Sequence, residues 1–246
     1  MMAVEVVINC KSHNEIHPEL LDGLKSQSLK HNLQIFESSH FPTRLRHVQN
    51  PESLYVFLDQ DVVLPHVDFL KRISEYCNDQ TGHFFFTGAY LSHPESTYLV
   101  RCYNSQVNSW ILAEDVHNNP STCENAPGGI WIVSGKILPQ ISDWIEPKFW
   151  AGEDTFTVRW LQSRGLNVHY TPLADVYHYP KCDWFYFLKR AFKQGIARRQ
   201  YNLTSRNRKL NWKFHLRNSQ YWPGWTLHQL FVILGSIKSL MAKNNP

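Results

Sequence analysis

Three short stretches combine residue types that can do chemistry. Asp59-Gln60-Asp61 follows the apolar run Leu54-Tyr55-Val56-Phe57-Leu58, the clearest strand in the chain. Ligands of open α/β sheets bind beyond the carboxyl ends of the strands. Two carboxylates with one residue between them can hold a hard divalent cation that neutralises a diphosphate; the same residues also suit an ordinary turn after a strand. Trp150-Ala151-Gly152-Glu153-Asp154-Thr155 stands directly before a predicted helix. There Asp154 can accept a proton from a substrate hydroxyl, or simply cap the helix. His178, in Val176-Tyr177-His178-Tyr179-Pro180, closes a short predicted strand, where it is either structural or a ligand for a manganese-like metal.

The elements that must carry these groups follow from the apolar pattern. Strands are predicted at Glu5 to Asn9, Leu33 to Glu37, Leu54 to Leu58, Phe84 to Leu91, Gly129 to Ser134, Asn167 to Tyr170 and Ala174 to Tyr177. Helices are predicted from Pro18 to about Leu29, Val67 to about Asn78, Asp154 to Arg164 (stopped by Gly165), Trp184 to Gln200 and Thr226 to Met241. Loops hold Lys11 to Asn14, Pro42, Pro51 and residues 114–128. Strands alternating with helices predict a layered α/β sheet, without internal repeats.

Composition narrows the class. The 246 residues suffice for one large α/β domain with a short appendage. With 43% hydrophobic and 19% charged residues the chain is neither disordered nor fibrous. Nine Trp and 14% aromatics suit sites for flat or sugar-like ligands as well as a core. The five Cys are odd in number and lack a C-x-x-C, which argues against a disulfide framework or a zinc site and fits a reducing, cytoplasmic setting. The first ten residues lack the basic n-region of a signal peptide, and no apolar run approaches a spanning helix. Charge is divided unevenly: residues 1–180 carry 12 Lys/Arg against 20 Asp/Glu, whereas residues 181–246 carry 13 against one, Asp183. Such a cationic end suggests a polyanionic partner or an anionic membrane surface.

Taken in order, the strand-end D-x-D, the G-E-D helix start, Arg159 followed by Gly165, and a strand-end His 24 residues after Asp154 resemble the family 2 glycosyltransferases, nucleotide-sugar-dependent enzymes of the GT-A fold. The resemblance is strongest from Leu54 to Gly195. It implies a mixed, mostly parallel sheet flanked by helices, with a C-terminal basic helical extension: a GT-A-like catalytic domain over 1–180 and the extension over 181–246. It implies that Asp61 binds manganese or magnesium directly, that His178 completes the metal site, and that Asp59 contributes there and orients the donor ribose or sugar. Asp154 is then the general base, and Glu153 contacts acceptor or donor sugar. Gly128 and Gly129 look like the small-residue loop that lets a donor sugar approach the backbone. Trp150 either stacks on the acceptor sugar or packs.

Toward the N-terminus the match loosens. Ser12 and His13 stand in a nucleotide loop where the family usually has Pro-Thr-Tyr-Asn-like residues. Glu37 or Ser38 replaces the Asp that usually reads the base. Only 21 residues separate Glu37 from Asp59, where the family usually adds a helix. The implied reaction is metal-dependent, inverting transfer from a nucleoside diphosphate sugar, taken as a UDP-sugar, to a hydroxyl of a glycan or lipid-linked acceptor.

Two rival readings stand beside it. A catalytically inactive GT-A-like chain would serve as a carbohydrate-binding or scaffold protein. A metal-dependent phosphohydrolase or nucleotidyltransferase would use Asp59 and Asp61 but leave Glu153 and Asp154 without a role. Nucleic acid is not expected as a partner, because the basic end carries no recognised binding motif. That end does place Lys and Arg ahead of Tyr221-Trp222-Pro223-Gly224-Trp225 and an amphipathic helix with Leu227, Leu230, Phe231, Ile233, Leu234, Ile237 and Leu240. This resembles a segment lying on an anionic membrane surface, peripheral on the cytoplasmic face; it equally suits packing on the domain or on a second subunit.

Overall fold

A strand that is apolar at nearly every position must be covered on both faces. β3 (Ser53–Asp59) is buried throughout. Leu54, Val56 and Leu58 face one core, and Tyr55 and Phe57 face the other. The structure, a computed structural model, describes residues 2–37, 44–80, 82–111, 123, 126–144, 153–200 and 216–243.

The remaining main-sheet strands are β1 (Ala3–Cys10), β2 (Asn32–Glu37), β5 (Phe85–Thr87), β7 (Ile130–Ser134) and β8 (Val168–Tyr170). The order is β2-β1-β3-β7-β5-β8. The β1–β2, β1–β3 and β5–β8 pairs are parallel, and β7 runs antiparallel to both of its neighbours. A second sheet joins β4 (Val62–Val63), β9 (Val176–His178) and β6 (Tyr90–Leu91) in the order β4-β9-β6. Against one face of the main sheet pack α1 (Pro18–Lys25), α2 (Phe69–Asn78) and α3 (Tyr98–Ile111). The other face is covered by α4 (Leu138–Ile141) and α5 (Glu153–Gln162). Gly165 takes a φ of +75°, the left-handed value that ends α5. This is the mixed, mostly parallel, helix-flanked sheet expected from the sequence.

Several elements differ from expectation. The single strand predicted over Phe84 to Leu91 is two, β5 and β6, in different sheets. The chain changes sheet at Gly88, whose backbone lies so near Ala174 that a Cβ would sit 1.9 Å from its carbonyl oxygen. The strand predicted over Ala174 to Tyr177 starts at Val176, because Pro172–Ala174 forms a 3₁₀ turn. Helix α3 was not read from the sequence. Its buried face carries Asn104, Ser105 and Gln106, which break the apolar periodicity that marks a helix. Each has a partner: Ser105 Oγ donates to Asn218 Oδ1 at 3.0 Å, and Gln106 Nε2 donates to His228 Nδ1 at 2.7 Å. Most of the loop predicted over 114–128 lies outside the described residues.

The chain ends in an antiparallel pair of helices, α6 (Trp184–Gln200) and α7 (Trp222–Lys243). Two glycines set their approach. A Cβ at Gly195 would meet the Val232 carbonyl oxygen at 2.0 Å, and one at Gly235 would meet that of Phe192 at 2.0 Å. Ser236 Oγ donates across the crossing to the Gly195 carbonyl at 3.0 Å. A side chain at either glycine forces the helices apart. Gly235→Leu is expected to lower stability by about 1–3 kcal/mol or more, the usual cost of overpacking. A urea titration reads this as a lower midpoint, and an unchanged midpoint would contradict the tight crossing.

Candidate active site

Pairing of β4 with β9 brings the D-x-D turn to the strand-end histidine. Val62 stands opposite His178, and Tyr179 N–H donates to the Asp61 carbonyl at 2.8 Å. His178 Nε2 then lies 3.6 Å from Asp61 Oδ1. The other ring nitrogen meets Asn104 Oδ1 at 2.7 Å. The Asn104 amide is oriented by its nitrogen, which donates to the carbonyls of Leu91 at 3.3 Å and His178 at 3.1 Å and to Ser92 Oγ at 3.2 Å. Its oxygen must therefore accept from His178 Nδ1–H. Burial lowers the His178 pKa to about 4; the nearby Asp61 raises it less, and Arg190 lowers it further. At neutral pH the ring is uncharged, with its Nε2 lone pair turned toward Asp61.

Tyr90 joins this pair to the second acidic motif. Its ring stacks on His178 with centroids 3.9 Å apart, and its hydroxyl accepts the Gly129 N–H at 2.6 Å. The adjacent Gly128 N–H donates to Asp154 Oδ2 at 3.1 Å, and the Gly129 carbonyl accepts Asp59 N–H at 3.0 Å. No side chain fits on this strip. A Cβ on Gly129 would overlap Tyr90 Cε1 at 2.3 Å, and one on Gly128 would press Asp154 Oδ1 at 3.0 Å. The Tyr90 hydroxyl is held well above its ordinary pKa, first by burial and then by charge near it, Asp59, Asp154 and Asp61 among the sources. Three carboxylates from two segments, the D-x-D turn and the start of α5, thus lie around one buried ring.

Asp59 itself points inward. Arg44, in the short helical turn Arg44–His47, is wholly buried; its guanidinium donates to Asp59 Oδ1 and to the Gly128 carbonyl, and lies 4.8 Å from the centre of the Trp131 ring. Sequence reading placed this arginine in an anonymous loop. Tyr90 and Asn104 were missed as well, since neither stands in a recognisable pattern.

The predicted nucleotide residues form a separate group at the ends of β1 and β2. Glu37 Oε1 accepts from the His13 backbone N–H at 2.7 Å and lies 2.6 Å from His13 Nδ1. These bonds hold the Glu37 carboxyl below its usual range. Ser12 precedes the 3₁₀ turn His13–Glu15 and makes no side-chain cap bond there. Cys10, His13 and Glu37 place a sulfur, a nitrogen and an oxygen within 4.8 Å of one another. Burial and then the charge of Glu37 raise the Cys10 thiol pKa, which keeps it protonated and a poor ligand. The middle residue of D-x-D ties this group to the metal side. Gln60 Oε1 accepts Lys11 N–H at 2.9 Å, its Nε2 donates to Glu15 at 2.8 Å, and its carbonyl accepts His17 N–H at 2.7 Å. Asn9 is paired in register with Asp59 and is buried, and its amide nitrogen has no hydrogen-bond partner among the described residues.

The structure therefore gathers Asp59, Asp61, His178, Gly128, Gly129 and Asp154 around Tyr90, with Ser12, His13 and Glu37 as a neighbouring set joined through Gln60. Glu153 opens α5, its side chain outside the description. Trp150 lies outside the described residues.

Among solved structures, the mannosyltransferase PcManGT from Pyrobaculum calidifontis, in complex with GDP-Man and Mn2+, superposes with a TM-score of 0.58 at 15% identity over 98% of this chain and 88% of that one. Residues 1-349 of S. aureus TarS give 0.51 at 11% identity over 84% of this chain and 67% of that one. At such identities these matches show the fold. No curated protein matches in sequence. The family profile described as Glycosyltransferase like family 2 matches residues 23–197, well over half of the chain. The chain belongs to the family 2-like glycosyltransferases.

Proposed function

We propose that the protein moves a sugar from a nucleoside diphosphate sugar to a hydroxyl of a glycan or lipid-linked saccharide, with inversion at the anomeric carbon. The meeting of the D-x-D turn and Asp154 at the Gly128-Gly129 strip and Tyr90, with neutral His178 stacked on the Tyr90 ring and 3.6 Å from Asp61, carries this reading. On this reading, donors for a cation and an acceptor for a proton stand near each other.

Asp61 and His178 fit a manganese or magnesium ion. They offer an oxygen and an imidazole nitrogen of the right type, and 3.6 Å is too long for a good hydrogen bond between them. When bound, such an ion neutralises the charge that develops on the leaving diphosphate. Asn104 fixes which histidine nitrogen faces the ion, as partners behind metal-binding histidines commonly do. Asp59, engaged by Arg44, supports the D-x-D turn from within and orients the donor ribose or sugar. Asp154 takes the proton from the acceptor hydroxyl while that oxygen bonds to the anomeric carbon and the bond to the diphosphate oxygen breaks on the opposite side. A single displacement inverts the centre. The donor sugar approaches the Gly128-Gly129 backbone, where Tyr90 and Asp154 occupy the space that side chains would fill; Glu153 is assigned to contact acceptor or donor sugar and Trp150 to stack on the acceptor.

Ser12, His13 and Glu37 hold the base. Glu37 stands at the end of β2, where a carboxylate oxygen can accept a ring N–H, a group carried by uracil and guanine. We take a UDP-sugar as the donor; the GDP-Man and Mn2+ held by PcManGT support the wider class of nucleoside diphosphate sugar and metal. We assign residues 1–180 to the catalytic unit and residues 181–246 to the basic extension, and the protein to the cytoplasm, with that extension against an anionic inner membrane face.

Three substitutions separate the roles. Asp154→Asn keeps the acceptor oxygen for Gly128 but loses the base: donor affinity survives while transfer falls about 10²–10⁴-fold, and near-normal transfer would reduce Asp154 to a helix-start residue. Asp61→Ala is expected to abolish manganese-dependent binding of UDP or GDP in calorimetry, and undiminished binding would remove it from the metal site. Asn104→Ala, which touches no ligand, is expected to weaken manganese affinity about 10–100-fold, with transfer restored by excess metal.

A further inference from the structure

Helix α7 is built inside out. The face turned to the protein carries Gly224, His228, Val232, Gly235 and Ser239, all buried. The opposite face carries Leu230, Ile233, Leu234, Ile237, Leu240 and Met241, all exposed, with Ile233 at 55% and Met241 at 65%. The spacing of these six is that of one continuous helical stripe, and no charged residue interrupts it. None of the described residues covers it. A packed helix normally shows the reverse, apolar inward and polar outward. Residues 192 and 195 of α6 oppose 235 and 232 of α7, so the antiparallel register sets Phe185, 74% exposed, level with the last turn of α7.

The charge around the stripe selects its occupant. From Trp184 to Pro246 the chain has twelve Lys and Arg and no Asp or Glu. Two of these cations flank the helix pair on aromatic rings: Lys189 lies 5.4 Å from the centre of Phe185, and Lys238 lies 5.6 Å from that of Phe192. A second copy of the chain would set one cationic surface against another, and like charges oppose that contact. An anionic lipid surface satisfies both features, since acyl chains take the aliphatic stripe and headgroups take the cations. No helix among the described residues is long and apolar enough to cross a membrane, so α7 lies in the interface rather than spanning it.

The geometry points to the Leu230–Met241 stripe of α7 as the face that enters an anionic bilayer, with the flanking Lys and Arg at headgroup level. This rests on the membrane placement proposed above and needs no sugar transfer to test. Purified full-length protein is sedimented with vesicles of phosphatidylglycerol and phosphatidylcholine, and with phosphatidylcholine alone, at low and high salt. Binding is expected to the anionic vesicles, weaker at high salt because exposed charges are screened. The double variant Ile233→Asn, Ile237→Asn alters exposed positions only and should retain the wild-type circular dichroism and nucleotide binding. Its vesicle partition is expected to drop by about tenfold or more, given the apolar area withdrawn from lipid. Wild-type protein that ignores anionic vesicles at low salt would overturn the membrane placement itself. Binding by the wild type that the double variant matches would leave the placement standing and overturn this face. A wild-type dimer in light scattering that the double variant splits would show that a second copy covers the stripe, and would overturn the lipid assignment.

Discussion

Burying an arginine is costly unless its charge is compensated, and the Arg44 guanidinium donates to Asp59 and to the Gly128 carbonyl and lies against Trp131. These partners come from the end of β3, from the glycine strip and from β7. The guanidinium therefore pins the strip to the central strand. Asp59 N–H bonding to the Gly129 carbonyl completes the closure from the backbone side. Everything else in the candidate site hangs on where that strip lies, because Asp154 and Tyr90 are both bonded to its N–H groups. Removing one partner of a buried charged pair typically costs about 3–5 kcal/mol, so this interaction underlies both the stability of the sheet end and the shape of the site.

The carboxylates play different parts because their surroundings differ. Asp59 faces a buried cation. Asp61 is partly exposed and faces a histidine that burial keeps neutral. Asp154 accepts a backbone N–H at the start of a helix. Tyr90 is the partition between them. Burial and the surrounding negative charge both keep its hydroxyl protonated, so it adds no further charge to a crowded anionic corner.

What was legible in the sequence reflects how each element is held. β3 and α5 stand out because one is apolar from Leu54 to Leu58 and the other is stopped by Gly165. The three acidic positions and His178 stand out because they sit where elements end, and the structure gathers them. The supporting residues were hidden for physical reasons. Asn104 lies on a helix whose buried face mixes Asn, Ser and Gln with apolar residues, and its polar groups meet partners such as Asn218 and His228 more than 100 residues away in sequence. Arg44 looks like any loop cation until a buried carboxylate is found beside it. The break of the predicted Phe84 to Leu91 strand depends on the close approach of Ala174, which no local pattern announces. Short-range chemistry marks the groups that react, and long-range contacts choose the groups that orient them.

The small sheet that joins β4 to β9 has a consequence for biosynthesis. Asp61 and His178 are separated by 116 intervening residues, and β4 meets β9 only after β5 to β8 have been made. Domains generally fold as units during synthesis, and β1, β2 and β3 are made long before the histidine has been polymerised. A nascent chain thus displays its D-x-D turn without the imidazole, and a product terminated ahead of residue 178 never acquires it. The juxtaposition of Asp61 and His178 is therefore among the last features of the sheet end to form.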